Sequence, residues 1–151
     1  MAPIKLPKIR IRSERGAELI EFALVLPLLL LVVLGIVDFG FLFQRLEVVT
    51  NAAREGARMA VLPAYTTPDV QTRVRDYVTT GGVPTTVTNP AITVDPATID
   101  LGGGKTIAAK KVTVVYFHDY LFLSGFANLF GGNFSSIPLT GVATMRVEAT
   151  P

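Results

Sequence analysis

Residues 22–37 read FALVLPLLLLVVLGIV, sixteen positions without a charge. No other feature of the chain so limits its fold, because a helix apolar on every side needs a cover on every side. Asp38 follows, and FGFLF then carries the apolar run on to Phe43. A helix over residues 17–43 rises about 1.5 Å per residue to roughly 40 Å, enough for a hydrocarbon core of about 30 Å. The alternative is the buried central helix of a soluble domain, but a chain of 151 residues has little with which to surround it. The expectation is one transmembrane helix.

Charge sets its direction. Lys5, Lys8, Arg10, Arg12 and Arg15, opposed only by Glu14, precede the span, whereas Arg45 is the one basic residue close behind it. Basic flanks stay inside, so the N-terminus lies in the cytoplasm and the C-terminal hundred or so residues outside, in a single-pass protein of the cytoplasmic membrane. A small-residue cleavage site after the apolar run is missing, since Asp38-Phe39-Gly40-Phe41 stands there. The segment reads as retained.

With that basic N-terminus set aside, the rest of the chain is slightly acidic and shows no basic surface for nucleic acid. There is no cysteine, which excludes disulfides, thiolate catalysis and cysteine-held metals. His118 is the only histidine, and beside Asp119 at a strand end it reads as a surface pair rather than a catalytic dyad. Gly104-Lys105-Thr106 ends like a phosphate loop, but Ile99 occupies the first glycine position, leaving a Gly-rich turn. Asn133-Phe134-Ser135 fits a glycosylation sequon by pattern alone. Asp95, Asp100 and Asp119 are too scattered for a calcium loop. These residues imply no enzyme, cofactor, metal or small-molecule substrate.

Glu18 and Glu21 stand where the apolar run begins. Either they lie at headgroup level and favour the helix N-terminus through its dipole, or Glu21 enters the bilayer and needs a partner. A basic leader ending in Gly16, then Ala17, then glutamate as the fifth residue after that glycine, then a long apolar helix, resembles the class III signal of type IV pilins and pseudopilins. The resemblance implies a prepilin peptidase cutting between Gly16 and Ala17. It implies that Glu21 pairs with the N-terminal amine of a neighbouring subunit, setting the register of assembly.

The combination of Glu21 to Ala23, Leu26 to Leu28, Asp38 to Gly40 and Ala53 to Ala57 is similar to the TadE-like family, minor pseudopilins of tight-adherence (Flp, type IVc) pilus systems. That likeness spans about residues 13–62. It implies a structural role in pilus assembly or a related secretion apparatus, with other pilin or pseudopilin subunits and the membrane as partners. Ala17 departs from the Phe or Met that opens many mature pilins. The length exceeds that of short major Flp pilins, which implies a minor component. The competing expectation is an uncleaved, membrane-anchored binding module that contacts an envelope partner and keeps residues 1–16.

Residues 44–62 favour helix until Pro63, extending the spine beyond the membrane to residue 62. Leu46, Val49, Ala53, Ala57 and Ala60 share a face. Ala52, Gly56 and Ala60 form a small-residue stripe beside Ala53 and Ala57, ready for helix packing against the chain's own domain or another subunit. Pro27 is a potential kink, and Asp38 is expected at the outer interface, open to a partner on another subunit.

Residues 63–151 read as an extracytoplasmic α+β domain. Thr67-Pro68-Asp69 opens a helix with Thr67 as cap, Val70, Val74, Tyr77 and Val78 form its stripe, and Gly81-Gly82 ends it. Strands are expected at 85–88, 91–94, 111–117 and 139–148, with Val112, Val114, Tyr116 and Val142, Thr144, Arg146 in alternation. Residues 120–134 read as a loop with a helical turn. The expected fold is α+β, a long N-terminal helix with a small antiparallel sheet packed on its C-terminal half.

Overall fold

The computed structural model describes residues 13–129, 131–132 and 136–147. Its order is α1 (Ser13–Ala60), α2 (Thr67–Thr80), β1 (Ala91–Asp100), β2 (Thr106–His118), α3 (Leu123–Leu129) and β3 (Ile137–Arg146). This is the expected α+β architecture. At 48 residues α1 is about 70 Å long, and it runs unbroken through Pro27. It stops at Ala60, two residues before the expected end, and turns through residues 61–64 around Pro63.

The sheet is antiparallel with order β1-β2-β3. Strand β2 is central, pairing Val114 with Ile92 on one side and with Gly141 on the other. Its even-numbered residues Val112, Val114, Tyr116 and His118 are buried. They face the C-terminal half of α1, which contributes Val49, Ala52, Ala53 and Ala57 to the same core. Helix α2 adds Val70, Val74 and Val78. The spine helix is therefore also one wall of the core.

Several local expectations are corrected. Residues 85–88 are not a strand. Pro84 and Pro90 flank them without amide donors, and the chain bends, with the Thr86 amide donating to the Asn89 carbonyl at 2.7 Å. The Asn89 side chain occupies the ladder position instead, accepting from the Phe117 amide and donating to the Phe117 carbonyl, both at 3.0 Å. Strand β1 extends six residues past the expected end, through Pro96, because an edge strand leaves one side of its backbone unpaired.

The cap of α2 is Thr66, not Thr67. Its amide and hydroxyl both donate to Asp69 Oδ2, at 2.8 and 2.6 Å, which fixes the first turn one residue earlier. In β3 the expected alternation holds, with its named residues on the outer face. Val142, Thr144 and Arg146 do not enter the core, whereas Leu139 and Gly141 are buried and Ala143 and Met145 pack against it. The strand begins at Ile137, and the expected Glu148 lies outside the described residues. Gly102, Gly103 and Gly104 all have positive φ in the hairpin between β1 and β2, so Gly104-Lys105-Thr106 belongs to a turn.

Candidate functional site

From Gly16 to Val37, α1 touches the folded domain hardly at all. None of these residues is buried, and only Leu31, Leu34 and Gly35 are half-buried. This bare segment is long and apolar enough to cross a membrane. Gly16, Ala17, Glu18 and Glu21 are all exposed within helical backbone. Among the described residues nothing lies within 4 Å of where a Cβ on Gly16 would stand.

Packing begins at Asp38. It lies on the stripe that continues through Leu42, Val49, Ala53 and Ala57, and it is 1% exposed. Its Oδ1 accepts from the amides of Leu121 (3.0 Å) and Phe122 (3.2 Å). Its Oδ2 accepts from Phe122 (3.0 Å) and Leu123 (2.7 Å). A buried carboxylate is tolerable only where its lone pairs are met, and three converging amides at the start of α3 meet them. Asp38 is therefore a buried latch whose partners are amides of its own chain.

Two more polar residues of α1 act at the same level. Gln44 Nε2 donates to the carbonyl of Gly81 at 2.9 Å, fixing the end of α2. Arg45 Nη1 lies 2.7 Å from His118 Nδ1, at the end of β2. Guanidinium can only donate, so Nδ1 is the acceptor and the proton of the neutral ring sits on Nε2. Nε2 is buried with no hydrogen-bond partner among the described residues, and the ring meets Tyr120 edge-on at 5.4 Å. Burial, and then the Arg45 charge, lower the His118 pKa below its ordinary 6.5. The histidine is thus a buried brace, not the exposed pair expected beside Asp119. Asp38, Gln44 and Arg45 together pin three elements to the spine just beyond its bare segment.

The small-residue stripe is occupied from within. A Cβ on Gly56 would come 2.5 Å from Val74 Cγ2 and 3.2 Å from Val112 Cγ1. Ala52, Ala53 and Ala57 are fully buried and Ala60 is partly buried against the same core. Nearby, Glu55 accepts from Arg58 one turn on in α1 at 2.9 Å and from Arg73 of α2 at 3.1 Å, the second pair joining the two helices. The Arg58 hydrogen bonds lead in holding the Glu55 pKa down at about 2, burial opposes them, and Arg73 assists.

No three potential metal-ligating side chains cluster among the described residues. Asp95 lies within β1, Asp100 at its end and Asp119 beyond β2, in separate places. The Asn133-Phe134-Ser135 sequon lies outside the described residues.

An exposed apolar spine, long and apolar enough to cross a membrane, carries a head folded onto its C-terminal half, with the spine itself part of the head's core. Residues 16–58 match the family model described as TadE-like protein, so this spine is TadE-like. The match ends just before α1 does and leaves the rest of the head outside it. No curated protein and no solved structure matches the chain.

Proposed function

We propose that this chain is a minor pseudopilin, a structural component in assembly of a tight-adherence pilus or related secretion apparatus. The bare TadE-like helix carries the reading. It presents an apolar surface with nothing of its own chain to cover it, first to a bilayer and then to neighbouring spines. The leader stays in the cytoplasm and the head emerges outside. The membrane segment covers residues 17–43, with the head's packing beginning at Asp38 near its outer end.

A prepilin peptidase cuts after Gly16, and Ala17 becomes the new terminus. Glu21 then lies one turn inside the mature helix. Leaving its carboxylate unpaired in the bilayer costs about 2.5–3.5 kcal/mol on insertion scales. Pairing with the ammonium of an adjacent subunit removes that penalty at one axial offset only, so Glu21 sets register. The small-residue stripe serves the head, leaving the other faces of the spine for neighbours.

Intact mass on the protein from its native membrane tests this, repeated with Gly16→Ala and in cells lacking the peptidase. The expected result is loss of residues 1–16, abolished by either change. A full-length chain in every sample would leave the uncleaved anchored binding module as the better account.

A further inference from the structure

We propose that the segment around α3 is a second membrane contact, lying in the outer lipid interface beside the spine. The proposal rests on the reading of α1 as a membrane anchor. No Asp, Glu, Lys or Arg occurs from residue 120 to residue 145. Within that stretch Leu121 is 63% exposed and Leu129 77% exposed, with Phe122 between them at 37%. Single exposed leucines are ordinary, but several exposed apolar residues gathered in one uncharged segment mark a contact surface.

The latch decides where these side chains lie. Asp38 ties the amides of residues 121–123 to α1 seven residues before Arg45, about 10 Å along the axis on the membrane side. Since Asp38 is buried, the surface of α1 shows no exposed charge from Phe22 to Gln44. Leu123 lines one groove with Leu31, Gly35, Ile36, Phe39 and Phe43, so the apolar surface of α3 continues that of the bare helix. A short apolar element about 5–10 Å deep at the headgroup boundary is the depth expected of an interfacial helix. The occupant of this surface is therefore the outer lipid leaflet.

The absence of cysteine permits single-site labelling of the full chain. Nitroxide would be attached at Leu121→Cys and Leu129→Cys in phosphatidylcholine vesicles, with Val32→Cys for the span and Leu101→Cys, an exposed leucine of the β1–β2 hairpin, for water. All four sites are exposed, so the fold tolerates the labels. The expected result is an oxygen to nickel-chelate collision ratio several-fold above that of Leu101→Cys at both α3 sites. Water-like ratios there, with Val32→Cys lipid-like, would overturn the α3 contact and leave the anchor standing. Water-like behaviour at Val32→Cys would remove the anchor, and the proposal with it. Shielding from both quenchers, with spin broadening relieved by unlabelled chain, would assign the surface to a second copy and overturn the lipid contact.

Discussion

Gly141 of β3 lies directly on Val49 of α1, where a Cβ would stand 2.6 Å from the Val49 carbonyl oxygen and 2.9 Å from Thr50 Cα. Both obstacles are helix backbone, which cannot swing aside as a side chain can. Gly141→Ala should therefore destabilise the head by about 2–3 kcal/mol or more. Thermal unfolding of the full chain in detergent measures it. Gly125→Ala, with open space around its Cβ, is the control expected to change little.

At Gly56 the obstacle is a side chain, so the outcome differs. Gly56→Ala should cost about 1–3 kcal/mol by pressing on Val74. Val74→Ala opens that space, and the double variant should be more stable than the sum of the two losses predicts. A double-mutant cycle by chemical denaturation reads the coupling, and strict additivity would contradict the contact.

Asp38→Asn replaces one accepting oxygen with a donor that faces amide hydrogens. The start of α3 should loosen, at a cost of about 2–4 kcal/mol for buried donors left unmet. Hydrogen exchange at Leu121, Phe122 and Leu123 should accelerate well before exchange in β2 does. Unchanged protection at those three amides would show that the latch is not what holds α3.

Glu55 has its folded pKa, about 2, below the ordinary 4.5. Its contribution is complete above about pH 4.5 and is withdrawn as pH falls towards 2, because the unfolded chain binds the proton first. Arg58 and Arg73 are more than half exposed, so solvent screening holds the effect to about 1 kcal/mol. Glu55→Gln should flatten stability across that window, as read by denaturant midpoints.

His118 also has a lowered folded pKa. Its neutral form stabilises the head above the ordinary pKa of 6.5, and stability falls as pH drops below that value, when the unfolded imidazole takes a proton that the folded one refuses. It is the chain's one histidine, so its ring resonances are unambiguous by NMR. Titration midpoint below 6.5 is expected, moving upward in Arg45→Gln.

The spine was legible because its signal is local: an uncharged run for the bare segment, then small and apolar residues at helical spacing. The good strands showed themselves through Val112, Val114 and Tyr116. Asp38 was visible as the charge that interrupts the apolar run but not as a latch, since its amide partners lie more than eighty residues away and amides leave no mark in a sequence. His118 was misplaced for a similar reason, as Arg45 reaches it from another element. In β3 the larger Val142 drew attention from Gly141, although a lone glycine inside a strand is itself a sign of close backbone approach. Thr66 rather than the expected Thr67 is the cap because the Asp69 carboxylate accepts from its amide and hydroxyl.

Because Val49, Ala53 and Ala57 belong to the same helix as the bare segment, the protein has no swivel. Torque applied to the spine reaches the sheet undiminished. Removing one residue between Phe22 and Val37 would turn the head by about 100° relative to the residues before the deletion. The spine thus acts as a rigid axle that fixes the compass bearing of the head's outer face.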